Sequence, residues 1–527
     1  MYAPTQPRLM SVHVAAPFGL NVVAPASAVP ETDGLILRNV IAGDRGLKPR
    51  PGWREHAINV GTSTTEVRSI IPFHGSQPAN DRLFAATTAG VYNVTSGGAG
   101  AHTLAHTFGV SNTLSGYGVW TGFTTLADHF LAYADETNGY LLYTESTGLW
   151  AVGSVTGVTA ANLAFVMQWK NRLWFVEKNT SKAWYLGIGA ITGAATAFDF
   201  GPLFRTGGYL VGLWSWTVDG GAGMDDFLVA ISSTGDIVVF AGTDPASATT
   251  FQQLGEWSTG GVPAGRRVAT QFGGDILILT LLGILPLSKL VGGQLVTPDT
   301  YETYKIRPLV TATIGEQQNS LGWEMVIHPQ DNFLLLNTPG AATEEQEQYA
   351  MSYATRGWSI LTGQPMLSAA IWKSRLYYGT RDGRVCISEG FLDNVGYAGS
   401  VLNAVPVASA VLSRFDTLGS ARKKMIRFIR PLFVTHGLIP SVTSFARYDY
   451  DSDPRVLTPS GVPQQGDAWD TGLWDTSRWG AGRFSTHSAV QGATGIGSAF
   501  AVGVSFNTQA YAVLVGFDIA WEEGGML

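Results

Sequence analysis

Along most of the chain a short apolar or alternating run is followed by a turn rich in Gly, Asn, Asp and Thr, and then by another such run. That two-residue period predicts antiparallel strands joined in hairpins. One phrase, a polar pair followed by an apolar run, recurs seven times: NDRLFAA from Asn80, DHFLAYA from Asp128, KNRLWFV from Lys170, DDFLVAI from Asp225, GDILILT from Gly274, DNFLLLN from Asp331 and KSRLYYG from Lys373. Its first apolar positions, Leu83, Phe130, Leu173, Phe227, Ile276, Phe333 and Leu376, lie 43 to 57 residues apart. In six of the seven a second strand is predicted to follow, beginning at Val91, Tyr140, Trp184, Ile237, Ile284 and Val385. Aromatic closes follow at Gly148-Leu149-Trp150 and Gly357-Trp358.

A repeat of ~40–50 residues holding about four short strands suits a β-propeller blade, because one four-stranded sheet leaves its faces bare until neighbours stack on it. The expected fold is therefore all-β: a propeller of six or seven blades with an additional C-terminal β-rich domain. A β-sandwich array or an open string of meanders is the competing arrangement. The predicted organisation is an N-terminal arm over residues 1–32, a propeller over 33–394 and the C-terminal domain over 395–527. Blades occupy about Val60 to Asn394, and a hairpin within Asp33 to His56, turning near Ala42 to Asp44, is placed to close the ring. The arm is read as extended or partly disordered. PDTYETYKIRPLVTATIGEQ from Pro298 predicts a short helix between blades, with Pro308 expected to kink or end it.

Composition narrows the function. The chain has 527 residues, 64 of them Gly and 16 Trp, and only 14% are charged, with a formal net charge of −7. Apolar residues make up 45%, too many for a disordered chain. The lone Cys386 excludes an intramolecular disulfide framework and a zinc site built on paired cysteines. No uninterrupted apolar run reaches the length of a membrane span. The short apolar stretch near the N-terminus carries His13 and is broken by Pro17, so it is not read as a signal peptide.

Candidate chemistry is sparse. His102 and His106 have zincin spacing without the intervening Glu. Asp449, Asp451 and Asp453 imitate a calcium loop, but Pro454 stands where the sharp turn needs Gly, so a solvated acidic turn is expected. Gly187-Ile188-Gly189 lacks a following helix to cradle phosphate, and there is no G-x-S-x-G elbow at a strand-to-helix turn. Glu344, Glu345 and Glu347 read as a solvated tip. No catalytic, cofactor-binding or metal-binding residues are expected, and the chain is not expected to be an enzyme.

Two features point to contacts. Arg414, Arg422, Lys423, Lys424, Arg427 and Arg430 form the densest basic stretch, with Asp416 as its single carboxylate. They are candidates for DNA or adaptor contact, or for pairing with an acidic patch on another subunit. Trp469, Trp474 and Trp479 recur every five residues, which suits a turn-rich segment. They are candidate interface aromatics, or fill a small core.

The opening GLNVVAPASAVPETDGLILRNVIAGDRGLKPRPGWREHA, IIPF followed by DRLFAATTAGVYNVTS, the Trp-Asp pairs at Trp469 and Trp474, and the terminal GFDIAWEEGGML together resemble the tail nozzle proteins of short-tailed bacteriophages. This group is also described as hub, tail-tubular or packaged-DNA-stabilising. The likeness extends over nearly the whole chain but rests on texture rather than a strict motif. It implies a virion structural protein in which six copies form a tube beneath an adaptor ring. Genomic DNA would be retained and ejected through that tube without base-specific contact, and a needle, plug or fibre protein would close its far end. The implied location is the virion tail, after assembly in the host cytoplasm. The alternative function is a carbohydrate-binding or polysaccharide-degrading propeller, and an intracellular scaffold propeller is a third.

Overall fold

The computed structural model describes residues 8–12, 15–43, 45–62, 64–219, 224–293, 296–340, 346–401, 403–436, 440–451, 453, 485–488 and 490–523. The fold is an all-β propeller extended by further β-sheets. Each of the seven recurrent phrases forms the second strand of its own sheet, at Arg82–Ala86, His129–Asp135, Arg172–Glu177, Met224–Ser232, Asp275–Thr280, Phe333–Asn337 and Arg375–Gly379. The inner strands of these blades 1 to 7 are Ser69–Phe73, Gly118–Thr124, Leu163–Trp169, Leu210–Asp219, Ala269–Phe272, Glu324–His328 and Ser368–Trp372. Each inner strand touches the next, and that of blade 7 touches that of blade 1, so the ring is closed with seven blades.

Packing explains the repeat. The anchors Leu83, Leu173, Ile276, Phe333 and Leu376 are buried, each in an apolar cluster shared between neighbouring blades. Blades 3 and 7 turn from first to second strand through two residues in the left-handed region, Lys170 and Asn171 (φ 47° and 55°) and Lys373 and Ser374 (φ 48° and 63°). Such turns match the twist of the flanking strands. They set the Trp169↔Arg172 and Trp372↔Arg375 pairs, which accounts for the nearest internal sequence match.

Blade 7 takes its outer strand, Trp53–Ala57, from the start of the chain. The segment expected to close the ring does so through this strand, whereas the hairpin Val40–Gly43 and Gly46–Pro49 pairs with Ala512–Glu523 near the C-terminus. Gly34–Arg38 lies beside the outer strand of blade 6, Trp358–Leu361, and carries that sheet onward into Ser409–Ser413, Phe500–Asn507 and Ser441–Tyr448. A second sheet joins the hairpin, Ala512–Glu523 and Lys424–Thr435, with Arg8–Val12 on its edge. The two sheets enclose one core, with Ile426, Phe433 and Phe517 on one side and Val411, Val504 and Phe506 on the other. The described strands before Trp53 therefore pair with the C-terminal sheets, and Gly34–Arg38 links those sheets to blade 6.

Blade 5 has three strands, and helices follow it. The helix Arg307–Gln317 forms as expected, but Pro308 neither kinks nor ends it. Pro308 occupies the first turn, where the missing N–H has no intrahelical partner to lose. Val310 and Ile314 anchor the helix to the core.

Candidate functional site

In each blade the entry to the inner strand and the turn between the second and third strands lie at the same end of the ring. At that mouth, Arg267 enters from blade 5 and crosses to the opposite side. Its Nε donates to Gly118 O of blade 2 at 2.9 Å, Nη2 donates to Gly118 O at 2.6 Å and to Ser69 Oγ of blade 1, and Nη1 lies 3.2 Å from Glu324 Oε1 of blade 6. The guanidinium also sits 5.0 Å from the ring centroid of Trp120. Glu324 Oε2 accepts the N–H of Ala369 in blade 7 at 2.8 Å. Burial pushes the Glu324 carboxyl up, against the attraction of Arg267. One ion pair thus ties five blades across the axis.

Arg266 fans the other way, to Glu136 Oε1 at 2.5 Å and to the carbonyls of Leu210 and Val211, both at 2.7 Å. Arg68 holds Glu66 at 2.8 Å and the carbonyls of Asn112 and Ser115. Sequence reading missed these groups. Their only signal is the adjacent Arg266-Arg267 pair directly ahead of a strand.

The basic stretch is placed on and before Lys424–Thr435, which pairs antiparallel with Ala512–Glu523. The register sets cation against carboxylate: Arg430 Nε lies 2.9 Å from Asp518 Oδ2, Arg427 Nη2 2.7 Å from Glu522 Oε2, and Arg422 Nη1 3.4 Å from Glu523 Oε2. Arg414 lies 3.3 Å from Asp416 and 3.9 Å from Glu31. Lys424 is buried, its ammonium donating to the carbonyls of Ser420, Arg422 and Ser498 at 2.6, 2.9 and 3.0 Å. It supports the fold rather than presenting a contact. Lys423 is half-buried. The acidic partners of this strand come from the same chain.

Between the propeller and the C-terminal sheets lies a cavity of about 320 Å³, lined among others by Lys48, His328, Asp331, Arg375, Glu389 and Tyr511. Its carboxylates are held by cations: Asp331 by Lys48 at 2.9 Å, and Glu389 by Arg375 at 2.6 Å and by Arg54.

Other candidates are structural. His102 Nε2 lies 3.1 Å from Ile58 O, and no cluster of metal-ligating side chains occurs among the described residues. Asp449 accepts from Ser498 N and Oγ at 2.7 and 2.9 Å; burial raises its pKa, but these bonds outweigh that and keep the carboxyl below its usual range. Asp451 pairs with Arg447 at 3.2 Å. Gly187 to Gly189 form a loop with no helix beyond it. Glu347 lies 3.5 Å from Arg38. Glu344, Glu345, Trp469, Trp474 and Trp479 lie outside the described residues.

No family model and no curated protein matches the chain. Among solved structures it is similar to a B. thetaiotaomicron protein described as the extracellular domain of the one component system BT4673, at 11% identity and a TM-score of 0.41. That match covers 64% of this chain and 40% of the other, so the chain spans under half the length of that relative. It is also similar to the computationally designed Ika8 protein, at 9% identity, TM-score 0.36, and 64% and 99% coverage. BamB from Moraxella catarrhalis matches at 11% identity, TM-score 0.33, and 66% and 93% coverage. Likenesses this distant carry no functional argument.

Proposed function

We propose that the chain is a structural subunit of a phage tail nozzle, a ring or tube through which genomic DNA is retained and ejected. One observation carries this reading beyond the sequence resemblance: three of the six cations in the densest basic run, Arg430, Arg427 and Arg422, are matched across the strand pair by Asp518, Glu522 and Glu523, Arg414 is matched by Asp416, and Lys424 is buried. A wall rich in unpaired cations would trap a polyanion by releasing its counterions, whereas a ladder of paired charges lets it slide. With the propeller axis spanned by Arg267, the conduit belongs to the space enclosed by several subunits. A virion location, six copies, an adaptor ring above and a needle, plug or fibre below belong to the same proposal. The carbohydrate reading lacks comparable support, because the cavity carboxylates Asp331 and Glu389 are occupied by cations.

The test pairs imaging with DNA binding. Electron microscopy of the purified chain, alone and with an adaptor ring, is expected to show symmetric rings with a duplex-width bore. Wild-type chain is expected to bind duplex DNA weakly, and D518N/E522Q/E523Q more tightly, with a log-log salt slope steeper by about 3. Hydrolysis of a polysaccharide by the wild type, or an unchanged salt slope in the triple variant, would overturn the reading.

A further inference from the structure

The blades differ in what covers their outer edges. Blade 6 is continued by Gly34–Arg38 into the C-terminal sheets, and blade 7 is closed by Trp53–Ala57. The outer strands of blades 1 to 3, Thr103–Thr107, Leu149–Val152 and Thr196–Asp199, each end their sheet. An edge of this kind presents unpaired backbone groups, and proteins that stay monomeric blunt it with charge or Pro.

Here the charge is missing. Residues 94–127, 146–169 and 183–198 contain no Asp, Glu, Lys or Arg, in a chain that is 14% charged overall. These stretches supply the outer strands of blades 1 and 2, most of that of blade 3, and the loops between them. They also form one surface. The outer strands of blades 1 and 2 touch, and Val155–Thr156, just past blade 2, pairs with Gly193–Ala194 of blade 3. Large apolar side chains stand out from it: Leu104, Leu126, Leu149, Val152 and Ile188, the last three 61 to 68% exposed. Leu104, Leu126, Leu149 and Ile188 lie towards the rim opposite the arginine mouth, where first strands turn into second and third into fourth.

We infer that this face of blades 1 to 3 is where a second copy of the chain docks. The occupant follows from charge. Two copies each carrying net −7 repel wherever their acidic surfaces meet, and outer strands without charge, with Asp128 and Glu145 confined to the turns at their rim and held there by Ser146 and Ser76, keep that repulsion small while offering apolar area worth burying. A charged partner, such as DNA or a basic protein, finds no complement on the outer strands themselves, which hold no ionisable Asp, Glu, Lys or Arg in blades 1 and 2. The inference rests on the ring-subunit reading and names the face that such a ring uses.

The test uses the full-length chain. Sedimentation velocity over a concentration series, with hydrogen exchange on the associated and dilute forms, is expected to show self-association that protects 103–107, 146–156 and 187–195. L149K/V152K, at two exposed positions, is expected to weaken association at least tenfold with an unchanged thermal midpoint. F428K, at an exposed apolar position on the C-terminal sheet, is expected to leave association within twofold. Rings that persist in L149K/V152K, or protection of this face only when a different protein is added, overturn the inference while the ring reading stands. A wild type that stays monomeric at its highest soluble concentration and forms no ring beside an adaptor fails the ring reading itself.

Discussion

Arg50 and Asp393 meet in a two-pronged ion pair, Nη1 to Oδ1 at 2.8 Å and Nη2 to Oδ2 at 2.5 Å, with the Arg50 side chain 1% exposed. The remaining donors go to Asn39 Oδ1, Pro51 O and Thr362 O, so all five N–H groups are satisfied. The pair joins the residue just past the N-terminal hairpin to the segment leaving blade 7, where the propeller meets the added sheets. Removing one partner strands a buried charge. Asp393→Ala is expected to cost about 3 to 5 kcal/mol, read as a shift in the urea midpoint. R50M/D393L is expected to recover most of that loss, since an apolar pair of similar volume needs no counter-ion. A double variant no more stable than D393A would contradict this account.

The axial pair should behave differently from a surface bridge. Arg267→Met leaves the Glu324 carboxyl buried without its cation and is expected to cost about 3 to 5 kcal/mol. Surface bridges such as Arg205 with Glu256, where Arg205 is 72% exposed, are worth about 0 to 1 kcal/mol. Comparing the urea midpoints of R267M and R205M checks the difference, and equal losses would mean that the axial network does not hold the blades.

The strand repeat was legible because each blade shows a buried second strand to the sequence: Leu83, Leu173 and Leu376 sit at the same depth in their sheets. The helix after blade 5 was legible too, but the role of Pro308 was not, because only the cap position decides whether a proline starts or stops a helix. The sites were least legible. Arg267 acts with Ser69, Gly118 and Glu324, brought together by ring closure rather than by spacing in the chain. The basic stretch was visible as charge, but the pairing of Arg422, Arg427 and Arg430 depended on the register with Glu523, Glu522 and Asp518. The fate of the N-terminal segment was hidden for the same reason, since Leu47 and Leu514 become neighbours only through a strand pairing between the two ends of the chain.

Blade 7 holds Ser374 in the left-handed region at the second position of its two-residue turn. Glycine there relieves a steric cost of roughly 1–2 kcal/mol and forfeits about 0.5–1 kcal/mol of chain entropy. Ser374→Gly is therefore expected to raise stability by about 0.5 kcal/mol, measurable as a higher urea midpoint with the same slope. A lower midpoint would show that the side chain contributes more than its strain costs.

Stability should fall in mild acid. His328 is buried against Phe333, with parallel rings 5.0 Å apart, and its Nδ1 accepts the N–H of Asp331. Burial lowers its pKa below 6.5 and Lys48 adds to this, while Asp331 opposes it. Burial lowers His56 and His106 as well. Below pH 6.5 the unfolded chain takes up protons that the folded chain refuses, so stability is full above that pH and is lost as pH falls towards the folded pKa values. The urea midpoint is expected to drop between pH 7.5 and 5.5, and to drop less in His328→Gln. A midpoint that rose in acid would reverse the sign.

Cys386 provides a probe of ring closure. Its thiol is buried in blade 7, its pKa pushed up to about 12 by burial, and it faces Glu55 on the strand that the N-terminal segment contributes. Thiolate is the reacting species, so the folded chain should resist an aromatic disulfide reagent at pH 8 and yield one equivalent when unfolded. Partial opening is the informative case. If Trp53–Ala57 detaches before the other blades melt, Cys386 becomes reactive while far-ultraviolet circular dichroism is still near its native value. D393A weakens the anchor just ahead of that strand, so its labelling rate at low urea should exceed wild type by more than its global stability loss predicts. Labelling that tracks global unfolding in both proteins would place the closing strand within the same cooperative unit as the rest of the ring.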